Sequence, residues 1–257
     1  MKAVLILLYV FVLLGGGVAP FYIPKFRVAE ISIGGLSSLN QEDLREEISG
    51  VLNGKFYGIF PYDNILMVPR EKIIAVLLEK FSLLKSVSIN REFPQSLSVI
   101  AEERKVEALW CPGAVLTSTI PSAAECAFVD AEGFIFQPAP LFSGMIFLKF
   151  FDGRTELPAI GKEMLAEGEF RKLTALKDKL DGKNLYIAKI ILKDAEIYEI
   201  YLNEGWYILF NSKNEAEQTF GNLELVLGAT IKEKRPELDY VDLRFGKKVF
   251  FKLRDSR

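Results

Sequence analysis

Val87-Ser-Ile-Asn-Arg-Glu-Phe-Pro-Gln-Ser-Leu97-Ser-Val-Ile-Ala-Glu-Glu103 holds two alternating runs separated by a proline-containing connection. Side chains on a strand point to opposite faces in turn, so each run offers one face to a core and one to water. Arg91-Glu-Phe-Pro-Gln-Ser96 has the composition of a turn, so the stretch reads as a β-hairpin.

Working upstream, Pro69 opens a predicted helix with Ile73, Ile74, Leu77, Leu78 and Phe81 on its buried side. A loop rich in aromatic and turn residues, Phe56 to Asn64, precedes it. Before that loop, Asn40 caps a helix with Asp43 in its first turn and Leu44, Ile48, Val51 and Leu52 on one stripe; Gly50 and Asn53-Gly54 end it. Arg27 to Ile33 alternates as a strand and stops at Gly34-Gly35. The order from Arg27 to Lys105 is therefore β-α-α-β-β, enough for one modest core.

Downstream, short apolar runs recur between turn signals: Val106–Trp110, Ala127–Val129, Phe134–Phe136 and Gly144–Phe150. A helix is expected from Lys162 to Leu180 with Phe170, Leu173, Leu176 and Leu180 facing inward. Strands follow over Leu185–Leu192, Ile197–Leu202 and Trp206–Phe210, the last two joined by Asn203-Glu204-Gly205. Ser212 with Glu215 has capping-box spacing before a helix containing Phe220, Leu223 and Leu227. Tyr240–Phe245 and Val249–Leu253 close the chain as a strand pair around Gly246-Lys247. The expected fold class is α+β: a β-α-α-β-β domain over 25–105, then a β-rich domain over 106–257 with a mixed or antiparallel sheet and two helices.

The N-terminal end has another character. Lys2 is followed by Ala3 to Leu14, then three glycines and an apolar continuation to Pro24. As a helix, Ala3 to Ile23 covers roughly 30 Å, the thickness of a bilayer core. A cleaved secretory signal is the competing reading, since Gly17 and Ala19 supply small residues at a cut site. Pro20 would stand at the scissile bond and the apolar character persists to Ile23, so residues 1–24 are expected to be a transmembrane helix with a minimal tail.

The 257 residues carry 32 basic and 34 acidic side chains, a net charge of −2, which gives no long-range pull toward nucleic acid or an anionic bilayer. The chain contains no histidine, which removes the commonest general base and metal ligand. Cys111 and Cys126 match no metal or redox spacing; in an oxidising compartment they read as one disulfide closing a loop of about 15 residues, and in the cytosol as two buried thiols. Ser82-Leu-Leu-Lys85 has the Ser-x-x-Lys spacing of penicillin-binding enzymes, but the partner elements Ser-Asp-Asn and Lys-Thr-Gly do not occur. The carboxylate pairs Glu102/Glu103, Asp130/Glu132 and Asp239/Asp242 suit strands and turns better than catalysis or Ca²⁺. No catalytic, metal or cofactor site is read from the residues, and no small-molecule substrate; they point to a binding protein.

Five stretches in one order resemble the FtsQ/DivIB family of bacterial cell-division proteins. Val28-x-x-Ile31-x-Ile33-x-Gly35 resembles the first strand of that family's POTRA module, and Val87 to Leu97 with Glu102 to Trp110 its closing hairpin and exit. Phe128-Val-Asp130-Ala-Glu-Gly-Phe-Ile-Phe136 resembles the family's Asp-turn strand pair, and Leu157-Pro-Ala-Ile-Gly161 its Leu-Pro element. Tyr240-Val-Asp-Leu-Arg-Phe245 is the most specific match.

The resemblance implies a POTRA domain, an FtsQ-type β-domain and no enzymatic activity. It implies a divisome scaffold in the cytoplasmic membrane at the septum, with a single-pass anchor and its domains extracytoplasmic. Its partners would be FtsB/FtsL-like coiled-coil membrane proteins, and it would support septal peptidoglycan synthesis. Carried onto this chain, docking by strand addition would use Arg244, Phe245, Val249, Phe250, Phe251 and Lys252, with alternation placing either Phe250 or Phe251 in the core. The alternative is a POTRA-containing envelope protein acting in polypeptide transport or assembly. The residues after Lys105 are too few for a barrel of about 16 strands.

Overall fold

The computed structural model describes residues 19–113, 126–140, 146–154 and 156–254. The chain divides into two units, Met1–Arg104 and Lys105–Arg257.

The first unit runs β1 (Glu30–Gly34), α1 (Gln41–Leu52), β2 (Lys55–Phe56), β3 (Phe60–Pro61), α2 (Arg70–Lys80), β4 (Leu84–Glu92) and β5 (Ser96–Glu103). β5 lies at the centre of a three-stranded sheet, parallel to β1 from Glu30↔Ser96 and antiparallel to β4. The apolar stripe of α1 (Leu44, Ile48, Leu52) and that of α2 (Ile73, Leu77) close over Val87, Ile89, Leu97 and Val99. Asn40 caps α1 by accepting from the Glu42 N–H at 3.0 Å. After β1, Gly35 takes φ +86° with the Ala101 carbonyl so near that an added Cβ would lie 2.1 Å from its oxygen, so only glycine fits. Glu103 secures the next segment: its carboxylate accepts from the backbone N–H of Ser37, Ser38 and Leu39, each at 2.9 Å, and from the Ser38 hydroxyl at 2.6 Å.

The second unit runs β6 (Ala108–Pro112), β7 (Ala127–Val129), β8 (Phe134–Pro138), β9 (Leu148–Asp152), β10 (Lys162–Glu163), α3 (Glu167–Asp181), β11 (Ile187–Leu192), β12 (Ile197–Leu202), β13 (Tyr207–Asn211), α4 (Ala216–Val226), β14 (Leu238–Phe245) and β15 (Lys248–Leu253). The strands form one ten-stranded mixed sheet in the order β10-β8-β7-β6-β9-β11-β12-β13-β14-β15. α3 and α4 are the crossovers for the parallel pairs β9/β11 and β13/β14, which a hairpin turn cannot join. Both helices therefore cover one face. Phe170, Leu173, Leu176 and Phe220 meet Phe150, Ile190, Tyr198, Ile200, Ile208 and Val241 there, around the buried Trp206. Below this layer the Asp152 carboxylate, fully buried, accepts from Trp110 Nε1 at 2.9 Å and pairs with both guanidinium arms of Arg154. Cys111 and Cys126 are joined as a disulfide.

Several expectations need correction. The transmembrane helix over Ala3–Ile23 is not found. Residues 1–18 lie outside the described residues, and the described remainder is two short 3₁₀ turns, Ala19–Tyr22 and Pro24–Phe26. Among the described residues, no helix is long and apolar enough to cross a membrane. Pro24 carries no backbone N–H and disfavours a helical residue before it: Ile23 is extended at φ −68° and ψ 123°, which separates the two turns. The loop 56–64 contains the miniature hairpin β2–β3. The helix expected from Lys162 begins at Glu167, because Lys162 and Glu163 pair with Ile135 and Phe134 of β8. Ser212 forms no capping box: Glu215 is the N-cap of α4 without a side-chain bond, and the buried Ser212 hydroxyl donates to Glu169 on α3 at 2.8 Å. Within the apolar run Gly144–Phe150 the strand begins at Leu148 and continues to Asp152; residues 141–145 lie outside the described residues.

Candidate functional site: the β15 edge

An open sheet ends in two strands that each leave half their backbone groups unpaired. The two ends of the ten-stranded sheet differ greatly. β10 is two residues long, whereas β15 is six, and among the described residues no strand pairs with its outer side.

β15 is held firmly from within. It pairs antiparallel with β14 through Val241↔Phe251 and Asp242↔Phe250, and the connecting turn uses Gly246 at φ +63°. Two asparagines brace the irregular end of β14. Asn214 Nδ2 donates to the Leu243 carbonyl at 3.0 Å and to the Arg244 carbonyl at 3.2 Å, and Asn222 Nδ2 on α4 donates to the Gly246 carbonyl at 2.7 Å. At the far end, Arg254 donates from its N–H to the Glu237 carbonyl at 2.7 Å and from Nε to the Leu238 carbonyl at 2.8 Å. The edge is a fixed template and not a fraying tail.

The expected docking residues divide by role. Arg244 lies on the open face with its guanidinium against the buried Asp242 carboxylate, at 2.9 Å (Nε to Oδ1) and 2.6 Å (Nη2 to Oδ2), and 5.5 Å from the Phe245 ring. That hydrogen-bonded carboxylate pushes the arginine's pKa up, so Arg244 is a permanent cation whose fork is already filled. Val249 packs against the core margin together with Leu253. Phe245 and Phe250 meet edge to face at 5.5 Å, and both are exposed. Lys252 pairs with Asp239 at 3.5 Å.

Alternation does not bury one of the two phenylalanines. Phe250 is 54% exposed and Phe251, on the core side opposite Val241, still 38%. A strand at the end of a sheet has a neighbour on one flank only, so even its core-facing side chains lose half their lateral cover. Each face of β15 therefore presents an aromatic ring beside a line of unpaired backbone groups. Lys247, Lys248, Lys252 and Arg254 make the strand and its ends basic, with no acidic residue between Gly246 and Arg254.

The open face of the sheet adds a feature that the sequence reading missed. Lys189, Tyr201, Tyr207, Tyr240 and Lys252 fall in one cross-strand row over β11 to β15. Tyr201 and Tyr207 stack with centroids at 4.9 Å, Tyr207 and Tyr240 tilt together at 5.5 Å, and Lys189 Nζ sits 4.7 Å from the Tyr201 ring. Burial, and then the neighbouring Glu199 carboxylate, pushes the Tyr201 phenol up in pKa, which keeps Tyr201 neutral. This row runs straight into β15 and stiffens the sheet behind it.

The arrangement defines a class: an α+β protein whose ten-stranded sheet ends, among the described residues, in a long, braced, basic and aromatic edge strand. No protein-family model matches this chain, and no curated protein matches it.

Proposed function

We propose that the protein is a non-enzymatic scaffold of the FtsQ/DivIB kind. Its β15 edge receives an extended segment of a partner of the FtsB/FtsL coiled-coil type at the division septum. The observation that carries this reading is the open β15 edge with Phe250 and Phe251 exposed on its two faces. An added strand completes the outer N–H and C=O groups of β15, and apolar residues at alternate positions cover the two rings. Carboxylates on that segment meet Lys248 and Lys252, whereas a basic segment is repelled. The Cys111–Cys126 disulfide supports an oxidising, extracytoplasmic setting.

The test is imaging of a fluorescent fusion of the whole chain in its native host. Mid-cell rings that Phe250→Glu and Phe251→Glu abolish, with protein level unchanged, are the expected result. A uniform envelope signal from the parent fusion rejects the septal assignment.

A further inference from the structure

We propose that the β2–β3 hairpin end of the first unit is a docking surface for a lipid bilayer interface. The three-residue loop 57–59 joins the paired Phe56 and Phe60, and it turns on Tyr57-Gly58, both left-handed (φ 48° and 74°), with Ile59 N–H donating to the Phe56 carbonyl at 3.1 Å, a β-turn with the two positive φ values of the I′ kind. Such turns favour Asn-Gly, because a side chain with a Cβ is strained at positive φ and asparagine tolerates it best. A tyrosine stands there instead; it is 84% exposed, and its ring meets the Phe56 ring edge-on at 4.4 Å. Neither turn geometry nor internal packing calls for an aromatic at this tip. A contact outside the molecule does.

The ring is not alone. Tyr22, Ile23, Phe56 and Ile59 are exposed, and they are held at the same place. The Tyr22 hydroxyl donates to the Ile59 carbonyl, Phe21 packs edge-on against Phe60 at 5.0 Å, and Asn64 Nδ2 donates to the Phe21 carbonyl at 3.1 Å. Lys25, Arg27 and Lys55 are exposed on the same short segments of chain, and Arg27 stands 3.7 Å from Asp63. Exposed aromatic and aliphatic side chains interleaved with cations are the composition that settles at the headgroup level of an anionic bilayer.

The position of the patch in the chain selects lipid over a protein partner. The apolar run Ala3–Leu14, outside the described residues, leads through Gly15-Gly-Gly17 directly into Ala19–Tyr22. A bilayer that took up that run would lie within a few residues of these rings along the chain.

The experiment places single tryptophan reporters in the full chain and mixes it with phosphatidylcholine–phosphatidylglycerol vesicles, some containing bromine-labelled acyl chains. The native Trp110 and Trp206 are buried, so the parent protein supplies the background. Tyr57→Trp reports the hairpin tip, Phe56→Trp repeats the measurement should the turn be disturbed, and Leu225→Trp reports an exposed site in the second unit. The expected result is a blue shift and severalfold stronger bromolipid quenching at 57 and 56 than at 225, with matching protection from aqueous acrylamide. Equal quenching at all three sites, or a chain that ignores the vesicles, overturns the proposal. Tyr57→Asn adds a readout that a structural role would move the other way. Its melting temperature should equal or exceed the parent's, since asparagine suits the turn; a clear fall shows that the ring serves the fold and also overturns the proposal.

Discussion

Replacing Phe250 or Phe251 with glutamate tests the docking edge most directly. A phenylalanine side chain offers roughly 200 Å² of surface. At 54% and 38% exposure, about 110 and 75 Å² remain to be covered by an incoming strand. At about 25 cal/mol per Å² this corresponds to roughly 2.7 and 1.9 kcal/mol, a loss of about 90-fold and 25-fold in affinity when the ring is removed. A new carboxylate also repels an acidic segment, so these are lower bounds. The fold should survive. Phe251→Glu changes a position already outside the core, and Phe250→Glu gives up one edge-to-face contact with Phe245, about 1 kcal/mol. Both losses are small against the stability of a domain, about 5–15 kcal/mol. The assay is calorimetric titration with the extracytoplasmic segment of an FtsB-type protein, the partner proposed above, from the same genome, beside thermal melts of each variant. Hydrogen exchange of the β15 amides supplies the backbone view, because strand addition slows the outward-facing ones. Two variants that melt like the parent and bind within about twofold of it would refute edge docking.

Two stability predictions follow from interactions inside the units. Burial tends to raise the Glu103 pKa, but the hydrogen bonds from Leu39, Ser38 and Ser37 outweigh it and bring it down to about 2 from an ordinary 4.5. A depressed carboxylate stabilises the fold above the ordinary value, and the contribution drains away as pH falls from about 4.5 toward 2. Discounted for its largely solvated position, Glu103→Gln should cost about 1–2 kcal/mol at neutral pH, roughly 5–15 °C in the melting of the first unit. The variant and parent curves should converge near pH 2, where the parent carboxyl is protonated; a gap that persists in acid would show that the loss is not ionic. The joint Cys111→Ser and Cys126→Ser variant reopens a 15-residue separation. That costs about 3 kcal/mol in chain entropy, or roughly 6–12 °C for the second unit. Unchanged melting in the presence and absence of reductant would show that the bond contributes nothing.

Much of the element order was legible because it rests on local periodicity. Leu44, Ile48 and Leu52 mark a helix stripe without reference to anything distant, and Leu97, Val99 and Ala101 mark a strand face in the same way. What escaped depends on tertiary partners or on unusual residues. Lys162 and Glu163 carry no strand pattern and become one only because β8 offers an edge. Tyr57-Gly58 lacks the asparagine that marks a tight turn with two left-handed residues, and strands of two residues carry no alternation, so the miniature sheet has no local signature. Ser212 had the spacing of a cap but is drawn into a bond with a helix that precedes it by two strands and more. The tyrosine ladder is invisible without register, since Tyr201, Tyr207 and Tyr240 come from three strands. Apolar composition alone favoured a spanning helix at the N-terminus, while Pro24 disfavours a helical residue before it and Ile23 is extended. For the site, the identity of the last strand was legible, but its degree of cover was not: exposure of both phenylalanines follows from an absent neighbour, and no pattern within β15 encodes that.

An open, apolar edge ought to pair with its own copy, so the charges of β15 must explain why a partner is preferred. In an antiparallel self-pairing that keeps each face on its own side, residues of like parity oppose one another. Centred on Phe250, this sets Lys248 across from Lys252 twice; shifted by one step, it sets Lys248 across from Arg254 twice. With no acid between Gly246 and Arg254, no register of this stretch turns those pairs attractive. Like charges directly opposite are destabilising by about as much as opposite charges stabilise, ~0.2–1 kcal/mol per pair. The lysines therefore act against self-association while leaving the edge open to a carboxylate-bearing strand. Lys248→Glu inverts the argument. In the Phe250-centred register, the introduced carboxylate of each copy faces Lys252 of the other, two repulsive pairs become attractive, and the swing is about 1–2 kcal/mol. That corresponds to a dimerisation constant roughly 5–30 times higher. Sedimentation of the two proteins across a concentration series reads it. A Lys248→Glu protein that associates no more than the parent, while folded, would show that charge does not govern what this edge accepts.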